Sequence, residues 1–384
     1  MWTTSHCSGW RRPVLFRNPG DGNRRKWTMR FCVACLLGSL MISAIIFAWG
    51  DAARKSNTGR PGRKVQVVDQ KLYLLDPHAP LRSKPDGAMQ FLSIGDQGTG
   101  GFDQMRVADG MTKVAQRHNL SFVLGLGDNF YDRGIFDEDD PMFQQRFEYM
   151  YNIPELESLP WYMSLGDHDH RRNVSAQVKH NSKASNWHMD GQYYTVQKTL
   201  ACGKKLHVVV TDSVLLEGGV YEEGLDRRFM RDYKESQSGK ELGLQHWKWL
   251  RNTLANLSNG QDWLIVVGHR PALSRCQRKV SPLDVIFRNK MRKLLEGNSV
   301  DLYMNGHDHT AQILHKNRIH YIVNGIGGHN LHKLQENSPE ALYKNASFHG
   351  FALHSVDCNS MTIMFCNGDG MEQGKRVIVK RLSS

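Results

Sequence analysis

From Met89 onward the chain alternates short apolar runs with stretches of helical periodicity. The runs in MQFLSIGD, FVLGLGD, WYMSLGD, LHVVVTD, WLIVVGH and DLYMNGH are too short for helices and end in polar residues, so they predict buried strands. Between them Val107, Met111 and Val114 keep the spacing of one helix face, as do Trp247, Leu250, Leu254 and Leu257. Toward the C-terminus the pattern changes to closely spaced β segments, HYIVNGI, FALHSV, TIMFC and RVIVKR. This alternation predicts an α/β domain built on two packed sheets.

Upstream the pattern is different. Phe31 to Trp49 is a 19-residue run without a charge. As a helix it would span about 28 Å, the thickness of a bilayer's hydrocarbon core. Arg24, Arg25, Lys26 and Arg30 precede it, and Trp27 and Trp49 stand at interfacial positions. The division expected is a basic cytoplasmic tail over 1–30, a transmembrane signal anchor over 31–50, a stalk over 51–85 and a catalytic domain over 86–384. A cleavable signal peptide starting at Met29 is the rival reading, and it would make the protein secreted. In either case the large domain is expected on the lumenal or extracellular side. Sequons at Asn119, Asn173, Asn256 and Asn345 all follow the run and point to a glycoprotein. Cys202, Cys276, Cys358 and Cys366 also follow it, an even number that permits disulfides of undetermined connectivity.

Charge sharpens this division. The whole chain carries +12 at pH 7. Residues 1–85 hold 15 Lys/Arg and 4 Asp/Glu, a net of +11, which leaves 35 and 34, a net of +1, for the rest. The basicity therefore belongs to the N-terminal segment, and the large domain has no cationic excess for nucleic acid. Hydrophobic residues at 40% exclude a wholly disordered chain, and one apolar run excludes a polytopic membrane protein.

Five predicted strands end in Asp or His beside Gly: GDQG (Asp96), GDNFY (Asp128, Tyr131), GDHDH (Asp167, His168), VVGH (His269) and GHDH (His307, His309). Ligands of open α/β sheets bind beyond the carboxyl ends of strands, so these clusters are expected to converge. Three carboxylates, three imidazoles and a phenol make a mixed oxygen and nitrogen donor set without thiolates, suited to two metal ions.

These five clusters resemble the signature of the calcineurin-like metallophosphoesterases. Tyr131 in GDNFY, with GDNFYDRG, GDHDHRRNVSAQ, VGHRP and GHDH, resembles in particular the purple acid phosphatases of the small tartrate-resistant type. The resemblance covers roughly residues 89–384 and implies a four-layer α/β/β/α sandwich. It implies that Asp96, Asp128, Tyr131 and His309 hold Fe(III). Asp128 would bridge to Fe(II), Zn(II) or Mn(II) held by Asp167, His269 and His307. It further implies hydrolysis of phosphate monoesters by metal-hydroxide attack, with His168 beside the phosphate as hydrogen-bond donor or general acid.

Two positions depart from that pattern. Residue 167 is normally Asn, and Asp167 adds a negative charge expected to tighten the second cation. The segment SRCQRKV lacks the substrate-side His of the animal enzymes. Its Arg275, Arg278 and Lys279 read either as an exposed basic loop or as a cationic rim for anionic substrates. Trp187 and His188 read as cleft lining or as core, and His170 and Arg133 have no assigned role. The alternatives are a secretory-pathway phosphodiesterase acting on lipid-linked substrates, or an iron-binding or redox protein with weak hydrolase activity.

Overall fold

A computed structural model describes residues 87–181, 183, 186–218 and 237–380. The expected tail, apolar run and stalk lie outside the described residues. Among the described residues no helix is long and apolar enough to cross a membrane.

The apolar runs form strands that build two mixed sheets. The first joins β1 (Met89–Ile94), β2 (Leu120–Leu126), β3 (Trp161–Ser164), β4 (Trp187–His188), β12 (Gly350–Val356), β13 (Ser360–Asn367) and β14 (Glu372–Val379) in the order β14-β13-β12-β1-β2-β3-β4. The second joins β5 (Tyr194–Thr199), β6 (Lys205–Val210), β7 (Trp263–Val267), β8 (Leu302–Asn305), β9 (Ala311–Lys316), β10 (Ile319–Asn324) and β11 (Ala341–Asn345) in the order β11-β9-β10-β8-β7-β6-β5. The centre of each sheet is parallel, with β1, β2 and β3 adjacent in one and β6, β7, β8 and β10 in the other.

The side-chain alternation of the second sheet explains why its strands are apolar on both faces. Leu206, Val208, Val210, Ile265, Val267, Leu302 and Met304 pack into a core shared with the first sheet. Their sequence neighbours Val209, Leu264, Val266 and Tyr303 pack into a second core with the helices α5 (Gln237–Leu257) and α6 (Pro282–Gly297). Trp247, Leu250 and Leu254, read from the sequence as one helix face, are the buried residues of α5 in that core. On the other side α1 (Phe102–Ala115) packs on β12 and β13 and buries Val107, Met111 and Val114. Three shorter helices, α2 (Pro154–Glu157), α3 (Val174–His180) and α4 (Ser213–Gly218), fill the connections.

The architecture is the expected α/β arrangement of two packed sheets with helices against them. Strands β4, β5, β9 and β11 extend it beyond the runs legible in the sequence. Cys202 and Cys358 form a disulfide, and Cys276 and Cys366 are free and buried. Trp187 is fully buried against Phe130, Phe143 and Phe147, so it belongs to the core and does not line the cleft.

Candidate metal centre

The carboxyl ends of β1, β2 and β3 in one sheet and of β7 and β8 in the other meet at a single place. Asp96, Asp128 and His307 each take the left-handed conformation, at φ of 60°, 55° and 66°. That conformation is costly for a side-chain-bearing residue and is held here by the surrounding structure. It turns each side chain inward directly beyond its strand. The adjacent glycines are required by crowding. A Cβ on Gly166 would overlap Asp128 Oδ1, and one on Gly306 would overlap Asp96 Oδ2.

All seven expected ligands are brought together, in two groups linked through Asp128 and His269, which lie 3.4 Å apart. In the first, the Tyr131 hydroxyl donates to Asp96 Oδ1 at 2.9 Å and lies 3.3 Å from His309 Nε2. His309 Nε2 is 3.2 Å from Asp96 Oδ1. In the second, His269 Nε2 lies 3.4 Å from Asp128 Oδ1 and 3.2 Å from Asp167 Oδ1. His307 Nδ1 lies 2.9 Å from Asp167 Oδ1 and 3.3 Å from His269 Nε2. Donor atoms of Asp167, His269 and His307 all lie within 4.8 Å of one another, as do those of Asp96, Asp128 and His269.

The imidazoles are oriented from behind. His269 Nδ1 is 2.9 Å from the Leu126 carbonyl and His309 Nδ1 is 2.6 Å from that of Asn330, so each ring turns Nε2 toward the site. His168 is held likewise, Nδ1 to the Asp132 carbonyl at 2.7 Å, with Nε2 4.0 Å from Asp128 Oδ2. It stands at the edge of the cluster.

The electrostatics favour positive charge here. Burial pushes Asp96 and Asp167 up, yet the neighbours together outweigh it, His309, His269 and His307 for Asp96 and Arg270, His307 and His269 for Asp167, and hold both carboxyls below their ordinary range. Burial lowers His269 and His309, but the Asp128 and Asp96 carboxylates overcome it and raise both. Tyr131 is raised well above its usual value by burial and then by the two carboxylates, so its ionisation calls for a strongly charged cation beside it. Metal cations in place of the bound protons would satisfy this donor set, and the residues present fit such a group.

Three contributors were not read from the sequence. Asp169, the third residue of the GDHDH cluster to carry a function, is fully buried. It accepts from the backbone N–H groups of Asn129, Phe130 and Gly166 at 2.8–3.1 Å, bracing the β2 and β3 loops together. His329 stacks on Tyr131 at 4.2 Å, and the glycine before it in NGIGGH, five residues beyond β10, is a weaker form of the glycine-donor mark of the other clusters. Arg270, next to His269 in VGHRP, has Nη1 3.1 Å from His307 Nε2 and Nη2 3.8 Å from Asp167 Oδ1. His170, unassigned from the sequence, binds buried Asp212 at 2.8 Å, and Arg133 is exposed.

The basic loop differs from the cationic rim envisaged. Arg278 binds buried Asp308 at 2.5 Å and Asp284 at 3.0 Å, and Arg275 pairs with Glu340, which leaves Lys279 as the exposed one of the three. Cys276, Asp308 and His332 also converge. Of these, His332 Nδ1 accepts the His309 N–H at 3.1 Å and Asp308 is paired with Arg278.

The family model described as calcineurin-like phosphoesterase matches residues 76–311. The chain belongs to the calcineurin-like phosphoesterase family. Within this family it is similar to tartrate-resistant acid phosphatase type 5 of Homo sapiens, 28% identical over 78% of this chain and 95% of that protein. It is similar to purple acid phosphatase 4 of Arabidopsis thaliana, 31% identical over 65% of this chain and 70% of that protein. Among solved structures it resembles GAP50, the anchor in the inner membrane complex of Plasmodium. That match has a TM-score of 0.64 and 22% identity, covering 77% of this chain and 90% of that one, and it speaks to the fold.

Proposed function

We propose that this calcineurin-like phosphoesterase is an acid phosphatase that hydrolyses phosphate monoesters at a dinuclear metal centre. The observation that carries the reading is the meeting of Asp96, Asp128, Tyr131, Asp167, His269, His307 and His309 at five strand ends, with a buried phenol between a carboxylate and an imidazole. Asp96, Tyr131 and His309 would hold Fe(III), Asp167, His269 and His307 would hold Fe(II), Zn(II) or Mn(II), and Asp128 would serve both. Such a pair of cations supplies Lewis acidity toward a phosphoryl group and acidifies water. The chain's own part is to hold the donors rigidly, to exclude bulk water by burying them, and to offer His168 as a donor to the phosphate or its leaving group.

The Cys202–Cys358 disulfide supports an oxidising compartment, in keeping with an N-terminal anchor or signal over 31–50 and a lumenal or extracellular catalytic domain. Asn119, Asn173 and Asn256 are exposed, as glycosylation requires.

The test is metal analysis of the purified protein with hydrolysis of p-nitrophenyl phosphate and its bis ester across pH. Two metals per chain, a visible tyrosinate-to-iron absorption and preference for the monoester are expected. Preference for the bis ester would make it a phosphodiesterase. Hydrolysis of neither, with both metals bound, would make it an iron-binding protein.

A further inference from the structure

We infer that Arg270 is a counter-cation built into the second half of the centre, competing with the divalent ion for His307. The inference rests on the dinuclear reading above and concerns a residue that reading does not use.

A guanidinium has only donors. With Arg270 Nη1 3.1 Å from His307 Nε2, that nitrogen must accept, and the ring proton sits on Nδ1. Nδ1 is the nitrogen that faces the site, 2.9 Å from Asp167 Oδ1 and 3.3 Å from His269 Nε2. A metal needs a lone pair at that position. Loading the site therefore takes the proton from Nδ1 and places one on Nε2, with no net change in protons. Nε2–H and the guanidinium N–H then oppose each other, and Arg270 has to withdraw. Glu217 Oε2 already lies 3.4 Å from Arg270 Nε, and both side chains are largely buried, so the guanidinium stays held at its other edge when the Nη1 contact is given up.

Asp167 gives the arrangement its purpose. A carboxylate in place of the expected amide adds one negative charge to the second half-site, and Arg270 Nη2 lies 3.8 Å from it. The two cancel. Asp167 attracts a second cation, Arg270 repels it, and the balance sets how readily the ion exchanges.

The experiment titrates Zn(II) into the full-length protein and counts bound metal per chain. In Arg270→Leu the weaker of two binding steps should tighten by roughly tenfold or more, since removing a like charge at this range in a poorly screened site is worth at least that. In Asp167→Asn it should weaken comparably, and the double variant should return near the wild type, which loss of packing alone would not produce. Should Arg270→Leu fail to fold, Arg270→Gln removes the charge while keeping polar contacts and should shift affinity in the same direction. Two bound ions with unchanged or weaker second affinity in the Arg270 variants would overturn the competition. No bound ion in the wild type or any variant would overturn the dinuclear reading itself.

Discussion

The Tyr131 hydroxyl donates a 2.9 Å hydrogen bond to Asp96 Oδ1 in a space closed to solvent, although 35 residues separate them. Asp96 Oδ2 is independently held by the His307 backbone N–H at 2.8 Å. Tyr131→Phe should therefore leave Asp96 in place and remove only one donor. We expect iron content and the visible band to be lost while the unfolding free energy changes by about 1 kcal/mol, the scale of one hydrogen bond. Absorption spectra and denaturant unfolding check this, and a retained band would exclude Tyr131 as a ligand.

Asp169 is a different kind of residue, since it binds no substrate or metal in this reading and yet ties three backbone N–H groups. Asp169→Asn replaces one acceptor oxygen by an NH₂ group facing those donors. A loss of about 2–4 kcal/mol is expected, with metal affinity falling because the Asp128 and Asp167 loops lose their common brace. Chemical denaturation with metal counting would show both effects, and a stable variant with full metal content would contradict the bracing role.

Away from the centre, His354 is wholly buried, its ring stacked on Phe91 at 4.5 Å and Nε2 2.8 Å from Ser93 Oγ. Burial pushes its pKa down to about 3. The folded state thus keeps it neutral while the unfolded chain, titrating near 6.5, takes up a proton first. Stability is unaffected above pH 6.5 and falls by about 1.4 kcal/mol per pH unit from there toward pH 3. His354→Phe should make the pH dependence of unfolding shallower by one proton over this window, and an unchanged slope would refute the assignment.

The Cys202–Cys358 bridge closes a loop with a sequence separation of 156. Replacing both residues by Ser should cost about 2–5 kcal/mol of stability, chiefly by freeing the unfolded chain. A reductant should destabilise the wild type and leave the double variant unmoved. Equal responses in thermal unfolding would mean that the bridge contributes nothing.

The sequence by itself determined the strands that carry the chemistry and all seven candidate ligands, together with His168. The reason is local: Asp96, Asp128, Asp167, His269 and His307 lie just beyond apolar strands, each beside the glycine that lets the chain turn, and Tyr131, His168 and His309 follow within three residues. His329, five residues beyond β10 in NGIGGH, lacks that contiguity although a glycine precedes it. Tertiary structure alone decided what each donor meets. Arg270 beside Asp167, the loops gathered by Asp169, the Cys202 pairing and the capture of Arg275 and Arg278 by Glu340, Asp284 and Asp308 join residues from separate elements. Periodicity reports which face of an element is buried, and only the packing of the two sheets reports what lies on the other side.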